Sequence, residues 1–251
     1  MPDATIRMFR GLDRTPTVEC LGARVPLIVG VGALRTDAAE ALARDAEKAG
    51  ANGLLLAPMS YTPLLCEEVF RHFRSVARAT NLPLCIYNNP STTHFTFTAD
   101  LIARLAETTG IVALKNPAGP PAEVAAEIAV LRERVSGDFS IGHSADWNCA
   151  AALLAGGDAW YSVVAGVLPR PARELMRAAQ AGDRGEVDRL DALFAPLWSL
   201  FREFGSLRVV YAAAALLGVS GLAPPRPILP LSPANRERVE RALEPLMVER
   251  L

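Results

Sequence analysis

The sequence predicts an α/β fold built on a parallel sheet, and three observations predict it. Short apolar runs alternate with amphipathic helical stretches along most of the 251 residues. The runs begin near residues 26, 53, 83, 110, 139 and 159, which is one strand and one helix per roughly 20–30 residues, the length of a βα unit. After residue 169 the strand pattern stops and only helical stretches follow. Repeated βα units imply parallel strands joined by right-handed crossovers.

Residues 1–14 mix charges without a clear period, and residues 17–23 read as the end of a helix. Residues 25–32 form a continuous apolar run, as a strand buried on both faces does. Thr36 caps a helix running to about Ala49, with Lys48 in its last turn and Gly50 at the stop position. Residues 53–57 are the second strand, ended by Pro58. Thr62 and Pro63 open the next helix, whose apolar face is Leu65, Val69, Phe73 and Val76. Residues 84–88 are the third strand, and Thr98 caps a helix that Gly110 closes. In the fourth strand, residues 111–116, alternation puts Ile111, Ala113 and Lys115 on one side and Val112, Leu114 and Asn116 on the other. Pro117 ends it, because proline has no N–H to donate. The following helix buries Val124, Ile128, Leu131 and Val135. Residues 139–144 are a weaker strand, an alanine-rich helix ends at Gly156 and Gly157, and residues 159–164 are the sixth strand. Helices follow over residues 174–181, 185–204 and 207–217, and a last one is capped by Ser232 or Asn235.

A serial βα chain closes into a barrel or opens into a doubly wound sheet. Gly30 and Gly32 are the only nucleotide-like glycine pair, without a third glycine or an acid placed to bind a ribose. The expectation is therefore a TIM-type (β/α) barrel, incomplete at the N-terminus with about six strands, plus C-terminal helices. Residues 1–182 make the partial barrel and residues 183–251 the helical region. Reactive groups in such a barrel sit at the C-terminal ends of the strands, where Tyr87, Lys115 and Ser144 fall.

The net charge of −1, with acids and bases interspersed, argues against a nucleic-acid stripe or a polybasic membrane patch. The longest apolar run, residues 209–219, is too short to span a bilayer. Cys20, Cys66, Cys85 and Cys149 are far apart, which argues against a disulfide framework or a zinc site and for a reducing cytosol. The three histidines, His72, His94 and His143, have no metal-ligand spacing. No metal and no bound cofactor are expected. Lys115 has two readings. It either snorkels from a strand end into water, or it is held in apolar surroundings that favour the neutral, nucleophilic amine.

Tyr87-Asn88-Asn89-Pro90-Ser91, followed 28 positions after the tyrosine by Lys115 in Ile111-Val112-Ala113-Leu114-Lys115, resembles the signature of the dihydrodipicolinate synthase and N-acetylneuraminate lyase family. Residues 25–32, 53–58 and 156–163 look like other strands of that family, and the resemblance covers residues 17–251. It implies a Schiff-base lyase, aldolase or dehydratase acting on pyruvate or a pyruvate-derived 2-oxo acid. Lys115 would be the nucleophile and its protonated Schiff base the electron sink, so no cofactor is needed. Tyr87 would carry protons, and Thr92, Ser144 and Tyr161 would line the substrate. Members are usually homo-oligomers, tetramers or dimers. Met59, Tyr61, Asn89 and His143 are further candidates for the pocket wall, with packing or loop structure as the alternative.

The departures carry their own expectations. Thr92 stands where synthases of this family carry an arginine for a substrate carboxylate, and a threonine cannot make the bidentate ion pair. Ser60 stands where they carry a tyrosine that reaches a neighbouring subunit. Tyr161 occupies a place that is often aliphatic. The family barrel begins with two βα units, the second bearing a Gly-x-Thr-Gly-Glu loop for the pyruvate carboxylate, and this sequence contains no such loop. The alternative is thus a truncated, catalytically impaired paralogue acting only as a structural or partner subunit.

Overall fold

The computed structural model describes residues 7–10, 15–22 and 24–248. The chain divides into two compact units, one of residues 1–117 with 126–143 and one of residues 118–125 with 144–251.

In the first unit β1 (Arg7–Arg10), β2 (Leu27–Gly30), β3 (Gly53–Leu56), β4 (Leu84–Tyr87), β5 (Ile111–Pro117) and all but the last residue of β6 (Ser140–Ser144) lie side by side in chain order. The pairings from β1 to β5 are all parallel. α1 (Thr15–Leu21), α2 (Thr36–Lys48), α3 (Cys66–Arg78), the short α4 (Pro90–Thr93), α5 (Ala99–Ala106) and α6 (Pro121–Arg132) fall between strands. Consecutive parallel strands with intervening helices are the pattern of a TIM-type (β/α) barrel, with fewer than its eight strands among the described residues. The core joins Val29, Leu54, Leu56, Leu84, Ile86 and Leu114 of the strands to Ala43, Val69, Phe73 and Leu105 of the helices. Burying a side chain of that size contributes about 1.5–3 kcal/mol.

In the second unit α7 (Asp146–Leu154) precedes β7 (Ala159–Trp160), and a single 3₁₀ turn, Val164–Gly166, follows. Then come α8 (Pro169–Gln180), α9 (Arg184–Phe204), α10 (Ser206–Leu216) and α11 (Pro233–Val248). Phe194 stacks on Trp198 with ring centroids 4.8 Å apart, inside a cluster that includes Leu175, Leu190, Leu197, Val209 and Val239. Asp183 caps α9 by accepting the N–H of Glu186, and Ser232, not Asn235, supplies the side-chain cap before α11.

Several elements depart from expectation. The described strands number seven rather than about six, because β1 pairs with β2 in a stretch too short and too charged to show a period. α1 agrees with the expected N-terminal helix, although Ala23 lies outside the described residues. α3 begins at Cys66, so Thr62 and Pro63 precede it. Leu65 is 70% exposed rather than on the apolar face, and the Glu68 carboxylate accepts its N–H at 2.7 Å. Thr98 does cap α5, its hydroxyl accepting the N–H of Leu101. β7 is two residues long rather than six, and within the remainder of the expected strand the N–H groups of Val163 and Val164 go to the Asp146 carboxylate.

The largest local difference lies in β5. A register irregularity falls between Leu84 and Cys85, so Leu84 pairs with Ile111 while Cys85 pairs with Ala113. Val112 is the extra residue and is 43% exposed. A bulge shifts the alternation by one, and Ile111 therefore joins Leu114 in the apolar core instead of sharing a side with Lys115.

Candidate active site

The ends of β4 and β5 place Tyr87 opposite Lys115 in the parallel register. The backbone N–H of Asn88 donates to the Lys115 carbonyl at 2.9 Å and fixes that pairing. Lys115 is 5% exposed, which removes the reading of a cation extended into water. Its Nζ lies 4.3 Å from the centroid of the Tyr87 ring. The Tyr87 hydroxyl oxygen accepts from Asn89 Nδ2 at 3.1 Å. That bond occupies one lone pair and turns the phenol proton elsewhere. Asn89 is held in turn by the Ser91 hydroxyl, which donates to its Oδ1 at 2.8 Å.

Thr92 sits on α4, exposed, with its backbone N–H donating to the Asn89 carbonyl. Met59 is half-buried, Tyr61 is 96% exposed and His143 is buried on β6.

Behind Lys115, on the other face of β5, lies a polar chain that the periodicity did not reveal. Asn88 and Asn116 are 6% and 3% exposed. Asn88 Nδ2 donates to Asn116 Oδ1 at 2.6 Å, and Asn116 Nδ2 donates to the Glu127 carboxylate on α6. Burial pushes the Glu127 carboxyl above its ordinary value, and the bond from Asn116 opposes that shift. A polar residue on the otherwise apolar side of Val112 and Leu114 was the available signal.

In the second unit Ser144 closes β6, and its carbonyl accepts the N–H of Ala118 at 2.8 Å. Tyr161 is 9% exposed, in the loop after β7. That loop is organised by Asp146, a 3%-exposed residue that sequence reasoning passed over. Its carboxylate accepts from Trp160 Nε1 at 3.1 Å, Ser162 Oγ at 3.4 Å, the Val163 N–H at 3.0 Å and the Val164 N–H at 2.8 Å. Desolvation raises the Asp146 carboxyl from its ordinary value, and those bonds pull in the other direction. Ala145 just before it has φ 65°, a left-handed conformation that costs a residue with a Cβ about 1–2 kcal/mol. Among the described residues no group of three His, Cys, Asp or Glu side chains is set to hold a metal ion. No helix among them is long and apolar enough to cross a membrane.

Comparison with known proteins decides the family. The model of the dihydrodipicolinate synthetase family matches residues 14–246. The chain belongs to this family. A 4-hydroxy-tetrahydrodipicolinate synthase of Aromatoleum aromaticum is 36% identical over 244 residues, which are 96% of this chain and 81% of that protein. The crystal structure of dihydrodipicolinate synthase from Agrobacterium tumefaciens is 59% identical, with a TM-score of 0.90 over 92% of this chain and 78% of that one. A synthase from Acinetobacter baumannii, solved in complex with pyruvate, is 28% identical with a TM-score of 0.83, over 93% of this chain and 79% of that one. The family is one of lyases with TIM-type barrels, in agreement with the fold and the enzyme class read from the sequence.

Proposed function

We propose that this lyase forms a Schiff base between Lys115 and pyruvate or a pyruvate-derived 2-oxo acid, and so makes or breaks a carbon–carbon or carbon–oxygen bond. The observation that carries this reading is the buried Lys115 amine in register with Tyr87, 4.3 Å from its ring centroid. The neutral amine attacks the ketone carbon to give a carbinolamine. Tyr87 Oη delivers a proton to the departing hydroxyl, which leaves as water, and recovers it in the reverse direction. The protonated imine then accepts the electron pair of the bond broken at the neighbouring carbon. That imine, formed from lysine and substrate, is the electron sink, so no cofactor is called for.

Thr92, Ser144 and Tyr161 are proposed to contact the substrate. A threonine hydroxyl at residue 92 suits a neutral polar group such as a sugar-acid hydroxyl better than a second carboxylate, because it brings no charge. This directs the search toward 2-oxo-3-deoxy sugar acids and aldehyde adducts of pyruvate. The partner is a small molecule rather than nucleic acid or membrane, the chain acts in the cytoplasm, and it assembles as a homo-oligomer, a tetramer or dimer. Residues 1–182 serve as the barrel part and residues 183–251 as the helical region.

Incubation with pyruvate and borohydride tests the reading. A reduced pyruvate adduct is expected on Lys115 and is expected to vanish in Lys115→Ala. A folded wild-type protein that gains no mass would overturn the reading in favour of a non-catalytic partner subunit. A screen of sugar acids that follows pyruvate release then identifies the substrate.

A further inference from the structure

The side chains that follow Tyr87 and Lys115 in sequence meet each other on the reverse face of the same two strands. Asn88 Nδ2 donates to Asn116 Oδ1 at 2.6 Å, and both residues are buried. Asn116 Nδ2 in turn donates to the Glu127 carboxylate, which comes from the middle of α6. An ionised carboxylate only accepts. It therefore fixes which way the Asn116 amide points, nitrogen toward α6 and oxygen toward Asn88. The chain of bonds has one direction, and it fastens the end of β5 to β4 on one side and to α6 on the other.

That fastening lies at the end of the β4–β5 ladder. Pro117 has no N–H, so β5 cannot extend its donor ladder past Asn116. At this end of the β4–β5 ladder the Asn88 N–H donates to the Lys115 carbonyl, and the Asn88–Asn116 side-chain bond lies beside it. Asn88 Oδ1 has no partner among the described residues, but the Asn116 amide is bonded at both ends, and reversing it would set its NH₂ against Asn88 Nδ2 and its oxygen against the Glu127 carboxylate in a low dielectric. A displacement of about 1 Å in a reacting group costs on the order of 10²-fold in rate.

We propose that Asn116 and Glu127 are positioning residues for the Lys115 amine, acting from behind the strand and not touching substrate. The proposal rests on the Schiff-base reading for its catalytic consequence, but its physical content, the placement of the amine, does not.

The test compares Asn116→Leu, Glu127→Leu and Glu127→Gln with wild type, each rate scaled to the folded fraction measured by circular dichroism. Glutamine retains an acceptor oxygen for Asn116 Nδ2, and leucine does not. Borohydride trapping of the pyruvate adduct is expected to slow about tenfold in both leucine variants, with half-saturating pyruvate changed less than twofold, and to return to near the wild-type rate in Glu127→Gln. A merely structural role would lower the melting temperature of all three without this split. Reductive methylation of Lys115 with formaldehyde, read by mass spectrometry, reports the amine without pyruvate and is expected to slow in the same two variants. If wild type forms no pyruvate adduct but Lys115 methylation follows the expected pattern, the Schiff-base reading falls and the positioning role stands. If wild type forms the adduct and the leucine variants trap it at the wild-type rate, the positioning role falls and the Schiff-base reading stands. Equal slowing in Glu127→Gln and Glu127→Leu would also overturn it, because the acceptor would then be irrelevant.

Discussion

The end of β5 and the loop after β7 hold their candidate residues in opposite ways. At β5 the backbone does most of the placing: Tyr87 and Lys115 face each other because β4 and β5 are in register, and the Asn88–Asn116–Glu127 chain reinforces that register from behind. Around Tyr161 the strand has already ended, and one carboxylate replaces the ladder. Asp146 takes the N–H groups of Val163 and Val164, the Ser162 hydroxyl and the Trp160 indole. A ladder is redundant, since losing one bond leaves its neighbours. A single acceptor is not, since losing it orphans several buried donors together.

The largest effect is expected at Asp146. Asp146→Asn keeps the shape but turns an NH₂ toward backbone donors. With about 1–3 kcal/mol lost for each buried group left unpaired, the second unit is expected to lose about 3 kcal/mol in denaturant unfolding. A loss within the scatter of surface substitutions would show that the loop does not depend on the carboxylate.

Tyr87→Phe probes the other region. It keeps the ring under the Lys115 amine and removes only the hydroxyl. Steady-state kinetics should show a fall of about 10²-fold in turnover, the usual scale for a lost proton-transfer group, with little change in melting temperature. A stability loss as large as that of Asp146→Asn would erase the distinction between a strand-held and a side-chain-held site.

A smaller effect is expected at His72, 8% exposed, whose Nδ1 meets the Thr36 hydroxyl at 2.9 Å. Burial lowers its pKa from 6.5, so the folded state favours the neutral ring. Below the unfolded value of 6.5 the unfolded chain binds the extra proton. Stability therefore falls with acidification from there down to the folded pKa and levels off beneath it. In His72→Gln the slope of melting temperature against pH below 6.5 should flatten. An unchanged slope would place the acid sensitivity elsewhere.

The smallest effect is expected from Arg238→Ala. It breaks the Arg238–Glu203 ion pair at 2.6 Å between α11 and α9, and both side chains are well exposed. Solvent screens such pairs, and the melting temperature should not move measurably.

The βα succession was legible because periodicity is a local property of the chain. Residues 25–32, 53–57 and 84–88 each show an apolar run of strand length between turn signals, and β2, β3 and β4 fall within them. Leu65 misled because a spacing of four residues fits a helix face whether or not the helix has begun. β1 was missed because a four-residue strand with an arginine at each end has no period to read. Of the candidate site, Tyr87 and Lys115 were found by their motif and spacing, and the structure sets them in register. Asn88 and Asn116 stood in the same motif, yet nothing local indicated that they bond to each other or that α6 would supply Glu127.

By itself the sequence determined the βα succession from β2 onward and the family signature, with its candidate lysine and tyrosine. All of these are written within short windows, where local backbone preference and side-chain period decide. Only the tertiary structure decided that Val112 bulges, that Ile111 turns to the core with Leu114, that Asn116 finds Asn88 and Glu127, and that Asp146 gathers the loop around Tyr161. Those outcomes depend on register and on partners 11 to 28 positions away. A buried donor or acceptor must find a partner across that distance, and which one it finds is settled only when the elements pack.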